Sequence, residues 1–166
     1  MKRLLVLSCL AALLLIPAIA FAQKAPAGDG ILGYWFNAEK DAVIEVTKED
    51  GKFFGKVIWL KNPMDAKGKP KTDIENPDPK LKSRPRLGLV VLTDLAFKSG
   101  SKYEKGKIYD PKSGKTYSAQ AELANSNLLK LRGFIGVSMI GKTSEWTRTV
   151  KPEKEETKAA PKPEKE

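Results

Sequence analysis

The chain has 166 residues, a net charge of +10, no histidine and a single cysteine, Cys9. Those scarcities exclude Cys/His zinc sites and nucleophilic mechanisms that run through histidine. An enzyme built from these residues has carboxylates, lysine, tyrosine or an oxygen-bound metal to work with.

Lys2 and Arg3 precede the apolar run Leu4 to Ile16, Pro17 breaks it, and Ala20-Phe21-Ala22 forms an A-x-A site. This is the pattern of a secretory signal peptide over 1–22, with cleavage expected after Ala22. The run is shorter than the ~20 residues a spanning helix needs. The mature protein is therefore expected not to be an integral membrane protein. "VLSC" at 6–9 comes too early to serve as a lipoprotein box. Cleavage removes Cys9, so disulfides are not expected although export permits them. The expected location is the periplasm or the exterior. A linker (23–30) leads to one domain (31–150).

The domain reads as short runs separated by turn signals. "ILGYWFN" (31–37), "AVIEVTK" (42–48), "KFFGKVIWLK" (52–61) and "LGLVVLTDLAF" (87–97) come first. "YEKGKIYD" (103–110), "TYSAQAEL" (116–123), "LLKLRGFI" (128–135) and "GKTSEWTRTV" (141–150) follow. Glu49-Asp50-Gly51 and "DPKSGK" (110–115) are hairpin turns, and Gly55 marks a bulge or bend. The glycine spacing of 107–117 does not fit a phosphate loop. Tyr109 and Tyr117, which flank that turn, are placed to reach across to each other. The fold class is all-β, an antiparallel up-and-down barrel of about eight strands with a long Pro-rich loop after the third. Closure removes the sheet edges that a meander otherwise leaves open. A flattened sandwich is the alternative.

Closure also accounts for Trp146 and Arg148 on one face of the last strand. First and last strands become neighbours, so Arg148 is expected across the Trp35 indole, donating to carbonyls at the chain ends. Gly33 leaves room for it. The tail (151–166) balances five lysines with five glutamates and is expected to be disordered. Removing Lys2, Arg3 and this neutral tail leaves an excess of +8 on 23–150. That charge suits an anionic envelope surface rather than nucleic acid in an exported protein.

The loop 62–86 contains Pro63, Pro70, Pro77, Pro79 and Pro85 and, with Lys61, carries a net +4. Its prolines restrict it, so an ordered flap is expected. Asp73, Asn76 and Asp78 are placed to cap turns, and Arg84 to bridge a carboxylate. A ligand lid, a calcium site and a hydrolytic carboxylate pair are the sharper alternatives; the calcium spacing fits no EF-hand. Strand parity gives candidate cavity residues Val57, Trp59, Tyr117, Leu129, Leu131 and Trp146, together with Trp35, Ile44 and Val46. A filled core is the competing reading for them. "RGFIGVSMIG" (132–141) is read as a buried corner with Met139 and Ile140 at the rim; exposed, it would be a docking patch.

Gly33-x-Trp35 with the late Arg148 resembles the lipocalin signature. The chain departs from it in lacking a helix after the barrel and in placing its long loop after strand three. More of the chain resembles an exported bacterial family catalogued as domain of unknown function 2147. The residues that carry this are "GYW" (33–35), "GKVIWLK" (55–61), "GKPKTDIENPDPKLKSRPRLGL" (68–89), "GKIYDPKSGKTYSA" (106–119), "LKLRGFIGVSMIG" (129–141) and "WTR" (146–148). The resemblance implies export and a lipocalin-like, calycin-type barrel. The family has no settled activity, so no catalytic residue is carried over.

The leading expectation is a non-enzymatic exported protein holding a small apolar or amphipathic ligand, anionic or neutral. No cofactor or metal is expected. An envelope interaction module acting through a basic flap and apolar rim, with a filled core, is the alternative. A carboxylate-based hydrolase is the third reading.

Overall fold

The computed structural model describes residues 28–153. The expected signal peptide, most of the linker and most of the tail lie outside the described residues. The domain has eight strands: β1 (Gly33–Phe36), β2 (Ala42–Glu49), β3 (Lys52–Leu60), β4 (Val90–Ser99), β5 (Lys102–Asp110), β6 (Lys115–Asn125), β7 (Leu128–Phe134) and β8 (Gly141–Thr149). Each pairs antiparallel with its neighbour in sequence, and β8 pairs with β1, closing the barrel. The sandwich alternative is thereby excluded. Among the described residues no helix is long and apolar enough to cross a membrane.

Local chemistry fixes the turns. Asp50 and Gly51 both take positive φ, 48° and 76°, as a two-residue hairpin loop requires. The Asp110 carbonyl accepts from Ser113 and Gly114, and its carboxylate from the Lys112 backbone and the Ser113 hydroxyl. Positive φ at Asp94 and Lys105 coincides with uneven pairing of β4 and β5. Such bulges sharpen the bend that a small barrel needs. Gly55 sits where β2 and β4 converge: a Cβ there would come within 2.9 Å of both Ile44 and Leu92.

The two ends of the barrel differ. At one end a 3₁₀ turn, Asp29–Ile31, forms a plug. Ile31 is fully buried there, and the Trp35 indole N–H donates to its carbonyl at 2.8 Å. Tyr103 donates to the Gly28 carbonyl, and its ring meets Phe53 and Phe97 edge-on. Each large side chain fully buried in this layer stabilises the fold by about 1.5–3 kcal/mol. The loops 37–41, 61–89, 111–114 and 135–140 all lie at the other end, which forms a mouth.

Trp35 and Arg148 are direct cross-strand partners, so both point inward. The Arg148 guanidinium lies 4.1 Å from the Trp35 ring centre. It donates to the carbonyls of Leu32, Gly30 and Ser126. Gly33, at φ 112°, leaves the space: a Cβ there would stand 3.1 Å from Arg148 Nη1. Burial lowers the Arg148 pKa from the ordinary guanidinium value.

Strand parity fails within β3 at a position that matters for the cavity. β3 carries an extra residue, Ile58, between the pairs Ile44–Val57 and Val43–Trp59. A one-residue bulge reverses which side chains face in. Trp59 therefore lies on the outer face, edge-on to Phe36 at 6.0 Å, and Leu60 turns inward in its place. Phe36 and Trp59 flank Val43, which is fully buried on that outer face, separate from the interior core.

Candidate functional site

The mouth opens into a cavity of about 610 Å³. Ala42, Ile44, Val57, Leu60, Leu131 and Trp146 are among the residues forming its apolar wall. Tyr117 and Ile108, paired in register on β6 and β5, complete one side. A filled core does not describe this half of the barrel.

Of the parity-derived candidates, Ile44, Val57, Tyr117, Leu131 and Trp146 converge on the cavity. Leu129, Trp35 and Val46 do not line it. They are buried in the packed core of the plugged end. Trp59 is excluded from it by the Ile58 bulge. Leu60, Ile108, Val91 and Phe134 line it and were not indicated by simple alternation. Each lies beyond a bulge or at a strand end, where period two stops being a guide. Tyr109 and Tyr117 do not reach each other, because Tyr109 pairs with Thr116 and Tyr117 with Ile108.

The rim is polar. Lys112 donates to Asp41 at 2.9 Å, and Asn37 donates to the same carboxylate. Strand order puts loop 37–41 and loop 111–114 on opposite sides of the barrel, so this ion pair bridges the mouth. Burial alone would raise the Asp41 pKa. The Asn37 and Lys112 donors outweigh it and hold it below the ordinary value. Arg86 lies at the rim with its guanidinium fixed on the Thr72 and Pro111 carbonyls, both at 2.9 Å. Lys71 and Lys142 also face the opening. None of the ion pairs among the described residues includes Arg86, Lys71 or Lys142.

The loop after β3 is ordered, as its prolines imply, but it is not a simple lid. Its base lines the mouth through Asn62, Lys71 and Arg86. Its tip is stapled to the β5–β6 hairpin. Asp73, fully buried, accepts from the Tyr109 hydroxyl at 2.7 Å, from Asn76 at 2.8 Å and from Arg84 at 2.8 and 2.9 Å. Arg84 also lies 5.5 Å from the Tyr109 ring centre. Gly114 is required beneath this tip, since a Cβ there would collide with the Glu75 carbonyl. Burial would raise the Asp73 pKa, but the Tyr109, Asn76 and Arg84 donors hold it below the ordinary range. Asp78 caps the short turn Pro79–Leu81 by accepting from the Lys80 backbone N–H. Asn76 Oδ1 accepts from the Asp78 N–H. Asp73, Asn76 and Arg84 are thus engaged with one another, which suits neither a cation site nor a hydrolytic pair. Among the described residues no group of three or more acidic side chains is placed to hold a metal.

The segment 135–140 departs from the expected buried corner. Ile135, Val137, Met139 and Ile140 are 67%, 61%, 87% and 70% exposed. Ile135 and Ile140 border the cavity.

A closed eight-stranded antiparallel barrel, plugged at one end by its N-terminal segment and open to an apolar cavity at the other, is a lipocalin-type architecture. A solved structure bears this out: protein HP1028 from Helicobacter pylori, described as belonging to the lipocalin family, is 31% identical. The match covers 71% of this chain and 82% of that one, with a TM-score of 0.60. Residues 33–148 match the model of the family described as "Uncharacterized protein conserved in bacteria (DUF2147)", and the chain belongs to that family. No curated protein matches the chain.

Proposed function

We propose that this is an exported carrier that holds a small apolar or amphipathic molecule in the mouth-side cavity, without chemical conversion. The observation that carries the reading is the cavity itself. At about 610 Å³, with apolar walls and a polar rim, it has the size and character of a small-molecule site. The lipocalin-type architecture supports the same reading. Arg86, Lys71 and Lys142 at the rim favour a ligand with an acidic head, its apolar part directed toward Trp146 and Leu131. Export rests on the signal-peptide pattern of residues 1–22.

Fluorescence titration with fatty acids of graded length tests this. Trp146 lines the cavity, so its emission is expected to change on binding. A fatty acid should bind more tightly than its methyl ester. Unchanged emission at saturating lipid across the series would contradict the reading.

A further inference from the structure

The loop between β7 and β8 is built to present apolar side chains to solvent. Arg132 Nε donates to the Ser138 carbonyl at 2.7 Å and Nη2 to the Met139 carbonyl at 3.0 Å. Nη1 donates to the Thr143 hydroxyl. The Ile140 N–H closes a turn on the Val137 carbonyl, and Gly136 supplies a φ of 70°. One guanidinium thus holds two successive carbonyls of the loop, and a backbone turn holds a third. Its apolar side chains stay largely open to solvent even where Ile135 and Ile140 border the cavity: Met139 is 87% exposed, and Ile135, Val137 and Ile140 all exceed 60%. Four exposed large apolar side chains gathered in one six-residue loop mark an interaction surface.

Its surroundings indicate the partner. The loop stands at the mouth, next to Lys142 and on the same end as Lys71 and Arg86. Those cations have no carboxylate partner among the ion pairs of the described residues. The same end carries the basic segment 61–86, with its net +4. Exposed apolar side chains on the same end as Lys71, Lys142 and Arg86, none of them paired with a carboxylate among the described residues, are complementary to a bilayer surface with anionic headgroups. We infer that the mouth end docks on an anionic lipid surface, with Ile135, Val137, Met139 and Ile140 entering the interface. Docked in this way, the cavity opens toward the bilayer. Cargo then passes between lipid and barrel without crossing bulk water.

Vesicle flotation tests this on the exported, processed protein. Its N-terminus is verified by mass, so that residues 4–16 do not provide the affinity. The probes are vesicles of phosphatidylglycerol with phosphatidylethanolamine, and vesicles of phosphatidylcholine alone. The protein is expected to float with the anionic vesicles and not with the neutral ones, and less so as salt rises. The double variant Val137→Asp, Met139→Asp is expected to lose at least tenfold in vesicle affinity at an unchanged thermal midpoint, because both side chains are exposed. A second variant, Lys71→Gln with Lys142→Gln, is expected to weaken binding to anionic vesicles while leaving the apolar loop intact. Wild-type protein that stays at the bottom of the gradient overturns the proposal, as does equal flotation by the Asp variant. A wild-type dimer that the Asp variant dissolves assigns the patch to a second copy of the chain and also overturns it. The outcome is independent of cargo: protein that floats but stays empty keeps this inference and removes the carrier reading. Protein that fills from solution but never floats does the reverse.

Discussion

The guanidinium of Arg148 stacks on the indole of Trp35 at 4.1 Å and closes the barrel from its last strand to its first. The same group donates to the carbonyls of Gly30, Leu32 and Ser126, tying the N-terminal plug and the β6–β7 turn to β8. Removing it leaves those acceptors without their charged donor. Arg148→Ala is expected to cost about 2–4 kcal/mol and Trp35→Ala about 3–5 kcal/mol. Gly33→Ala is expected to destabilise as well, through its positive φ and the crowding of Arg148. Urea denaturation checks all three, and unchanged midpoints would remove the closure from the account.

The Asp73 staple gives the flap a pH dependence. Its folded carboxyl pKa lies below the unfolded value, ~3.9, despite burial, because Tyr109, Asn76 and Arg84 donate to it. A group of this kind contributes stability that is complete above the unfolded pKa and is lost as pH falls through the folded one. The flap is therefore expected to stay closed from neutral pH down to about pH 5 and to loosen below about pH 4. Amide exchange in residues 72–86 should accelerate there before the barrel strands do. Asp73→Ala should produce the same local opening at pH 7, with a loss of about 3 kcal/mol from breaking a buried pair. Flap protection that is indifferent to both changes would contradict this.

The Lys112–Asp41 pair spans the mouth and is exposed to solvent on both sides. Such a pair contributes little to stability, about 0–1 kcal/mol. Its position matters more, since it narrows the way in. Lys112→Ala is expected to leave the thermal midpoint nearly unchanged and to raise ligand entry and exit rates together by a few fold. High salt should mimic the substitution. Stopped-flow exchange of a fluorescent fatty acid measures both effects.

Single-tryptophan variants separate the three indoles. Trp146 faces the cavity, Trp35 the plugged end, and Trp59 the outer surface against Phe36. Ligand binding is expected to change the emission of a protein retaining Trp146 alone. One retaining Trp59 alone should report nothing. A response from Trp59 would place the ligand outside the barrel.

The barrel and its closure were legible because alternation, turn residues and the Gly33, Trp35 and Arg148 set all pointed to one topology. Val57, Tyr117, Leu131 and Trp146 could be placed at the cavity because no bulge intervenes between each of them and the alternation that defines its face. Trp59 could not, since the Ile58 bulge leaves no mark in a run of apolar residues that is plausible in either register. The flap shows the other limit. Proline spacing announces order, but not that Asp73 finds Tyr109 across 36 positions of sequence. The buried-corner reading of 132–141 failed for a related reason, although Met139 and Ile140 do lie at the rim: an apolar loop reads as buried until the Arg132 bonds to its carbonyls are seen.

The central claim is that the barrel carries a molecule, and native mass spectrometry of protein gently purified after export tests it most directly. A discrete added mass, released on denaturation and identified as a lipid or small acid, is the expected result. A bare chain mass that persists after incubation with host lipid extract would contradict it.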